Sequence, residues 1–586
     1  MTTEVYIKDY PRPQFVRKAW VDLNGQWDFK FDDGNKGELE KWQDNFSGDM
    51  KITVPYTYET PASGIGQQDH HSNVWYNRSF EVPEDLQGKR LILNFQAVDY
   101  VAKIWVNGVY VGSHQGAYTA FSFDITPYVT AGADNRLTVK AEDSMDATQP
   151  RGKQRWVEQN FECFYVQTTG IWQSVWMEVV DPVHLGSVKV TPDIDHASVK
   201  FQFQVNGPLN DQEVRLETII RLKGRQVKKT SLVIDRAWLD MDVDLIHEAN
   251  GPWKLSLWAP GSPNLYDVEF NVYQGEERVD QVHSYFGMRK ISIEKGRILL
   301  NNRPLYQRLV LDQGYWPDTH LTPPSEEALI KDIDLTMEMG YNGVRKHMKV
   351  EDARFLYWCD VKGLLVWSEM GATYEFNDTA MQKFSTEWME VVRQQYNHPS
   401  IITWVPFNES WGVPQIFKNK NQQKFTEFIY HMTKAFDPNR PVITNDGWEH
   451  TVSDILTLHD YIGTGEEFTK QYKNKEVIVN NERTFNHHKY AFADGYSYKG
   501  QPVLISEFGG IAFTSDAGWG YGKQEASEEA FLERFRGLHE AIKDLDYIVG
   551  YCYTQITDVQ QETNGLLTED RQPKVSLEAI REINLK

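Results

Sequence analysis

The chain has 586 residues, 40% hydrophobic and 25% charged, which is material for two to four globular domains with sizeable cores. A net charge of −22 with no basic stripe argues against a nucleic-acid partner, and no run of about 18 apolar residues is present to cross a membrane as a helix. Three dispersed cysteines (Cys163, Cys359, Cys552) and an opening without a basic, then apolar, leader predict a cytoplasmic protein with neither a disulfide framework nor a Cys-built zinc site.

Residues 1–182 read as all-β. RLILNFQAV (90–98), AKIWVNGVYVG (102–112) and IWQSVWMEVV (171–180) alternate apolar residues and are rich in β-branched and aromatic ones. Asn107-Gly108 between two apolar runs predicts a two-residue hairpin, and short strands separated by turns predict a β-sandwich. Residues 183–288 predict a smaller immunoglobulin-like sandwich, with strands in VKFQFQVNG (198–206), VRLETIIRL (214–222), WKLSLWAP (253–260) and YDVEFNVY (266–273).

From residue 289 to 586 short apolar runs alternate with amphipathic helical stretches, the pattern of βα units. Eight strands are predicted: 304–311, 341–347, 363–369, 401–409, 441–446, 455–461, 502–508 and 548–555. Among the helices, 325–339 places Leu329, Ile333, Leu335 and Met339 near one face, and 527–545 places Phe531, Phe535, Leu538 and Ile542 at three- and four-residue steps. Eight strands predict a C-terminal (β/α)8 TIM barrel; a doubly wound sheet fits less well because no Gly-rich dinucleotide loop follows the first strand.

A TIM barrel carries its chemistry at the C-terminal ends of its strands. Glu409 closes IITWVPFNES and Glu507 sits in PVLISEFGG, so both carboxylates follow apolar strands, where burial is costly unless something pairs or uses them. Their spacing of about three βα units puts them on the fourth and seventh strands, facing each other across the mouth. One protonated and one ionised carboxyl group across a bond is what glycoside hydrolysis requires, with a gap of about 5–5.5 Å for retention of configuration and more for inversion. Asp312, His347, Asp446 and His459 also end strands, and Trp519 in AGWGYG (517–522) is a candidate to stack on a sugar ring. The aromatic content, 13% of the chain, is otherwise accounted for by β-rich cores.

Several stretches together resemble glycoside hydrolase family 2, the group of β-galactosidases and β-glucuronidases. WVDLNGQWDFKFD (20–32), VWYNRSFEVP (74–83), 94–126 and TTGIWQSVWMEVV (168–180) are similar to its jelly-roll sugar-binding domain, and FGMRKISIEKGRILLNNRPL (286–305) to its entry into the barrel. The resemblance implies Glu409 as general acid/base, Asn408 as donor to the substrate 2-hydroxyl, Glu507 as nucleophile with retention of configuration, and Tyr461 as the residue that holds the nucleophile. It implies a carbohydrate substrate, no required cofactor, an accessory Mg²⁺ or Na⁺ as an option, and a homo-oligomer as an option.

Departures bear on the sugar. The second-strand motif, Arg-Thr-Ser-His in the family, reads Arg345-Lys346-His347-Met348 here, which keeps the arginine and displaces the histidine. Thr554 stands where the glucuronidases carry Trp, and Asn564-Gly565-Leu566 lacks the lysine of their Asn-x-Lys pair, so the cation a uronate needs is missing from that loop. The expectation is therefore an exo-acting, β-galactosidase-like enzyme, with β-glucuronidase, α-L-arabinosidase or β-mannosidase as alternatives and a non-catalytic carbohydrate-binding protein as the contrasting reading. His70-His71 and His487-His488 lack metal-ligand spacing, and no catalytic metal is expected.

Overall fold

The computed structural model describes the chain except for residues 1, 2, 4, 83–85, 87, 210, 211, 247–254 and 487. Its first unit is a β-sandwich of two antiparallel sheets. One orders Trp20–Asp22, Val175–Val180, Arg90–Phe95 and Phe121–Asp124; the other has six strands and is centred on Asn73–Glu81 and Asp134–Glu142. Trp27, Phe29, Leu93, Phe95, Ile104, Val139 and Met177 alternate inward and fill the space between the sheets. The predicted hairpin is present: Asn107 (φ 50°) and Gly108 (φ 79°) join Val101–Val106 to Val109–Gln115, both in the left-handed region that a type I′ turn requires.

The second unit packs the three strands His184–Asp193, Ser198–Asn206 and Trp238–Asp244 against a four-stranded sheet centred on Val214–Leu222 and Tyr266–Gln274. Phe201, Phe203, Leu216, Ile220 and Phe270 form its core. The strand expected over 253–260 is corrected: 253 and 254 lie outside the described residues, Leu257 makes a single bridge to Met288, and Trp258–Ala259 pairs with Ser262–Pro263. The Trp258 indole is drawn instead to the barrel, where Nε1 donates to the Asp360 carbonyl at 2.7 Å.

The third unit is the barrel. Its strands are β1 (Gln307–Asp312), β2 (Gly343–Lys346), β3 (Leu365–Glu369), β4 (Ile401–Val405, continued by Phe407–Asn408), β5 (Asn445–Asp446), β6 (Leu456–His459), β7 (Val503–Glu507) and β8 (Ile548–Tyr553). Seven of them form one curled parallel sheet in the order β4-β3-β2-β1-β8-β7-β6. The fifth closes the ring by pairing with the continuation of β4, Phe407 against Asn445 and Asn408 against Asp446. β4 is split because Pro406 has no N–H to give to a ladder. Leu309, Leu311, Trp367, Ile402, Ile443, Leu504 and Cys552 fill the interior, so the barrel is a packed core closed at its N-terminal end by the hairpin strands Ile291–Glu294 and Arg297–Leu300.

Both predicted helices form, over Glu326–Glu338 and Glu528–Lys543, each capped by a serine (Ser325, Ser527) that accepts from a backbone N–H of the first turn. All four residues expected to face inward on the second are buried; on the first, Leu335 is half-exposed and Thr336 takes its place. The first sandwich sits on the C-terminal rim of the barrel, with Tyr118, Tyr165 and Trp172 sharing a core with barrel residues. Arg151 N donates to the Ala372 carbonyl at 2.8 Å and Thr322 Oγ1 to the Trp172 carbonyl at 2.7 Å across this contact.

Candidate active site

The strand ends converge on one fully buried arginine, Arg345 of β2. Its Nε donates to Glu369 Oε2 of β3 at 2.7 Å and lies 2.9 Å from Asp446 Oδ2 of β5. Nη1 donates to Glu507 Oε1 of β7 and Nη2 to Asn408 Oδ1 of β4, each at 2.6 Å. A planar fork with five N–H donors is the side chain that can hold groups from so many strands in one plane. With its carbonyl oxygen taken by Arg345, Asn408 has its amide N–H groups as the end left to donate.

Glu507 is 4% exposed. Tyr461 donates to its Oε2 at 2.5 Å, and His459 Nδ1 lies 3.5 Å from its Oε1. Burial alone would raise this carboxyl, but His459 and Arg345 outweigh it and bring it down to about 2, so it is ionised at neutral pH. His459 is the second electrostatic centre. Its Nδ1 is 2.8 Å from Glu409 Oε1 and its Nε2 3.2 Å from Asp446 Oδ2. Burial disfavours the charged ring, yet Glu507 and Asp446 carry it up to about 10, so it stands as an imidazolium beside these two carboxylates.

Glu409 leaves β4 through two successive left-handed residues, Glu409 (φ 50°) and Ser410 (φ 61°). Such a turn is unfavourable for residues other than glycine and persists where its surroundings fix it. Here Ser410 N donates to Asn445 Oδ1 at 2.9 Å and Ser410 Oγ to Glu449 Oε2 at 3.2 Å. The turn leaves the Glu409 side chain 22% exposed, beside a nucleophile-like carboxylate that is almost wholly enclosed. One oxygen of Glu409, one of Glu507 and a His459 nitrogen all lie within 4.8 Å of one another. By distance the three are close enough to grip a cation and equally to flank a single glycosidic bond.

Of the other expected residues, His347 is buried beside the pair. Its Nδ1 stands 3.1 Å from Arg345 Nη2 and 3.0 Å from Glu369 Oε1. Burial and then Lys153 and Arg345 hold the ring well below its usual range, and it is neutral. Asp312 is not brought to the carboxylate pair: Oδ2 accepts from Lys346 Nζ at 2.7 Å and Oδ1 from Gly314 N at 2.8 Å. Trp519 is half-exposed at the rim, tied by Nε1 to the Glu162 carbonyl at 3.0 Å and edge-on to Tyr521, which stacks on Tyr461.

Sequence reasoning missed Glu369, although it ends β3 as Glu507 ends β7. Burial, opposed by Arg345, sets its carboxyl at about 7. Also missed was the loop 150–167 of the first sandwich, which reaches over the barrel mouth. Its Trp156 stacks on Tyr374 at 3.9 Å, and Phe164 meets Tyr374 and Trp411 edge-on. Asn160, and the carbonyls of Glu162 and Phe164, bond to Gln560 and Gln561 in the loop after β8. Together with Trp519 these contacts wall off one side of the site. His70 and His71 bond to the Asp143 carbonyl and to Asp33 and Gln67, and His487 lies outside the described residues.

Three family profiles match the chain in succession: "Glycosyl hydrolases family 2, sugar binding domain" over residues 20–177, "Glycosyl hydrolases family 2" over 183–289 and "Glycosyl hydrolases family 2, TIM barrel domain" over 291–586. A β-galactosidase of Thermoanaerobacter pseudethanolicus is 27% identical over 78% of this chain, which spans only 58% of that protein. A β-glucuronidase of Paenibacillus borealis is 22% identical over 98% of each chain. Among solved structures, the β-glucuronidase of Ruminococcus gnavus in complex with uronic deoxynojirimycin superposes with a TM-score of 0.78 at 18% identity, covering 98% of this chain and all of that one, a likeness of fold.

Proposed function

The chain belongs to glycosyl hydrolase family 2 and is a glycosidase, and from that premise we propose a retaining, exo-acting β-glycosidase with Glu507 as nucleophile and Glu409 as general acid/base. The observation that carries this reading is the pair of carboxylates with oxygens within 4.8 Å, one of them held ionised.

Glu507 attacks the anomeric carbon while Glu409 gives its proton to the leaving oxygen, forming a glycosyl ester on Glu507. Water, deprotonated by Glu409, then attacks the same carbon from the opposite face and releases the sugar with its original configuration. Glu409 thus serves first as proton donor and then as proton acceptor. Arg345 and Tyr461 fix the attacking oxygens, and Asn408 offers N–H donors where the 2-hydroxyl of the bound sugar would sit. The wall formed by loop 150–167, Trp519 and the loop after β8 suits a chain end rather than a through-going polymer.

The test combines a panel of nitrophenyl glycosides (β-galactoside, β-glucuronide, β-glucoside, β-mannoside, α-L-arabinoside) with proton NMR of the first-formed sugar from whichever is cleaved. For a β-glycoside the β-anomer appears first; an α-anomer appearing first would contradict the mechanism. Both β-galactosidases and β-glucuronidases are among the relatives, so the names leave the sugar to be decided by the chemistry of the pocket.

A further inference from the structure

Resting on that reading of the site, we propose that Lys153 is the residue that selects the substrate: it binds a carboxylate on the terminal sugar, so the enzyme acts on β-hexuronides.

Lys153 belongs to the first sandwich, but its loop is pinned to the barrel. Gly152 N donates to the Ala372 carbonyl, and Tyr374 OH donates to the Gly152 carbonyl. Gly152 itself (φ 63°) lies so close to the end of β2 that a Cβ would stand 2.2 Å from the Met348 carbonyl oxygen. Tyr165 N donates to the Lys153 carbonyl at 2.8 Å, and the Tyr165 hydroxyl donates to Glu562 after β8. Lys153 is thus fixed between the loops that follow β2 and β8.

The residue is 8% exposed, and its ammonium stands 5.6 Å from the Phe164 ring centroid. Among the described residues no carboxylate oxygen lies within 4.0 Å of it. The nearest carboxylates are already served. Glu562 accepts from Tyr165, Gln313 and Asn564, and Glu507 from Arg345 and Tyr461. Glu507, Glu562 and Cys163 nonetheless bias Lys153 toward its charged form, and the same charge depresses His347. A buried cation without an anion is expensive to maintain and is rare in structures unless something uses it. A sugar whose anomeric carbon meets Glu507 would extend over this region, and a carboxylate on its ring would complete a charge-assisted pair with Lys153. The loop after β8, which lacks a lysine at Asn564-Gly565-Leu566, leaves Lys153 to supply the charge.

The experiment uses the full chain, wild type and K153M, with paired 4-nitrophenyl substrates: β-D-glucuronide against β-D-glucoside, and β-D-galacturonide against β-D-galactoside. Wild type should prefer one uronide over its neutral partner by about 100-fold in kcat/KM, and K153M should lose about 100-fold on that uronide while changing less than about 3-fold on neutral sugars. Calorimetry with D-glucuronate and D-galacturonate against D-glucose and D-galactose gives a readout independent of turnover, with uronate binding expected in wild type and lost in K153M. Preference for a neutral sugar, equal losses of K153M on both members of a pair, or no uronate binding would each overturn the assignment. If a neutral glycoside is cleaved with retention, the mechanism stands and Lys153 falls. If nothing is cleaved, the mechanism falls and the uronate titration still decides Lys153.

Discussion

At the scale of single residues, the site is a charge lattice centred on Arg345 and His459, and removing one member leaves specific debts. Tyr461 supplies one of the two short hydrogen bonds on Glu507, so Y461F should lower kcat about 10- to 100-fold with little change in melting temperature, checked by steady-state kinetics beside thermal unfolding. His459 neutralises the buried anions Glu507 and Asp446, and H459Q should cost about 3–5 kcal/mol in chemical denaturation near pH 6. Because its folded pKa is raised, to about 10, that contribution is complete below the unfolded value near 6.5 and disappears as pH rises through 10. The difference between wild type and H459Q should therefore narrow across that window; a difference independent of pH would show that the ring is not charged. Glu409, Glu507 and His459 were legible because each ends an apolar strand of a recognisable barrel, and Arg345 through the family's second-strand motif. Glu369 carried the same signal at the end of GLLVWSE and was passed over. Lys153 carried none, since its role depends on where a loop of another domain comes to rest.

At the scale of elements, the barrel strands were readable because strand and helix periods alternate cleanly after residue 289. What periodicity could not show was pairing. The stretch 441–446 looks like an ordinary strand, yet only Asn445 and Asp446 form ladder pairs, because Pro406 breaks the neighbouring strand and the fifth must meet its two halves separately. Loop 150–167 was equally opaque: its hydrogen bonds go to barrel residues more than 200 positions away. Gly152 is its anchor, with φ 63° and no room for a Cβ against Met348. G152A should lower stability by about 1–3 kcal/mol and depress kcat/KM by shifting the loop off the mouth, measured by denaturant melts and kinetics on the same preparation. Unchanged kinetics would mean the loop plays no part in the site.

At the scale of the whole molecule, the aromatic excess resolves mainly into the cores of the two sandwiches and the layer between barrel strands and helices, with a smaller group (Trp156, Phe164, Tyr374, Trp411, Trp519) around the mouth. The sandwich–barrel contact also contains a carboxyl group with a pH signature. Glu387, on the helix Asp378–Gln395, is buried and accepts from Tyr118 N at 2.8 Å, and burial raises its carboxyl to about 8. A carboxyl raised in the folded state favours folding fully below its unfolded value near 4.5, and that advantage is lost as pH rises through 8. E387Q keeps the acceptor without the charge, so its melting temperature should gain on wild type between pH 5 and pH 9; parallel curves would exclude ionisation at this interface.

The central claim is that Glu507 forms the covalent bond. Incubating the enzyme with 2-deoxy-2-fluoro-β-D-glucuronyl fluoride, and separately with its galactosyl counterpart, followed by peptide mass spectrometry, tests it most directly. The account predicts one adduct from the sugar that is accepted, carried by Glu507 and absent from E507Q; an adduct on any other residue, or persistence of the same adduct in E507Q, would contradict it.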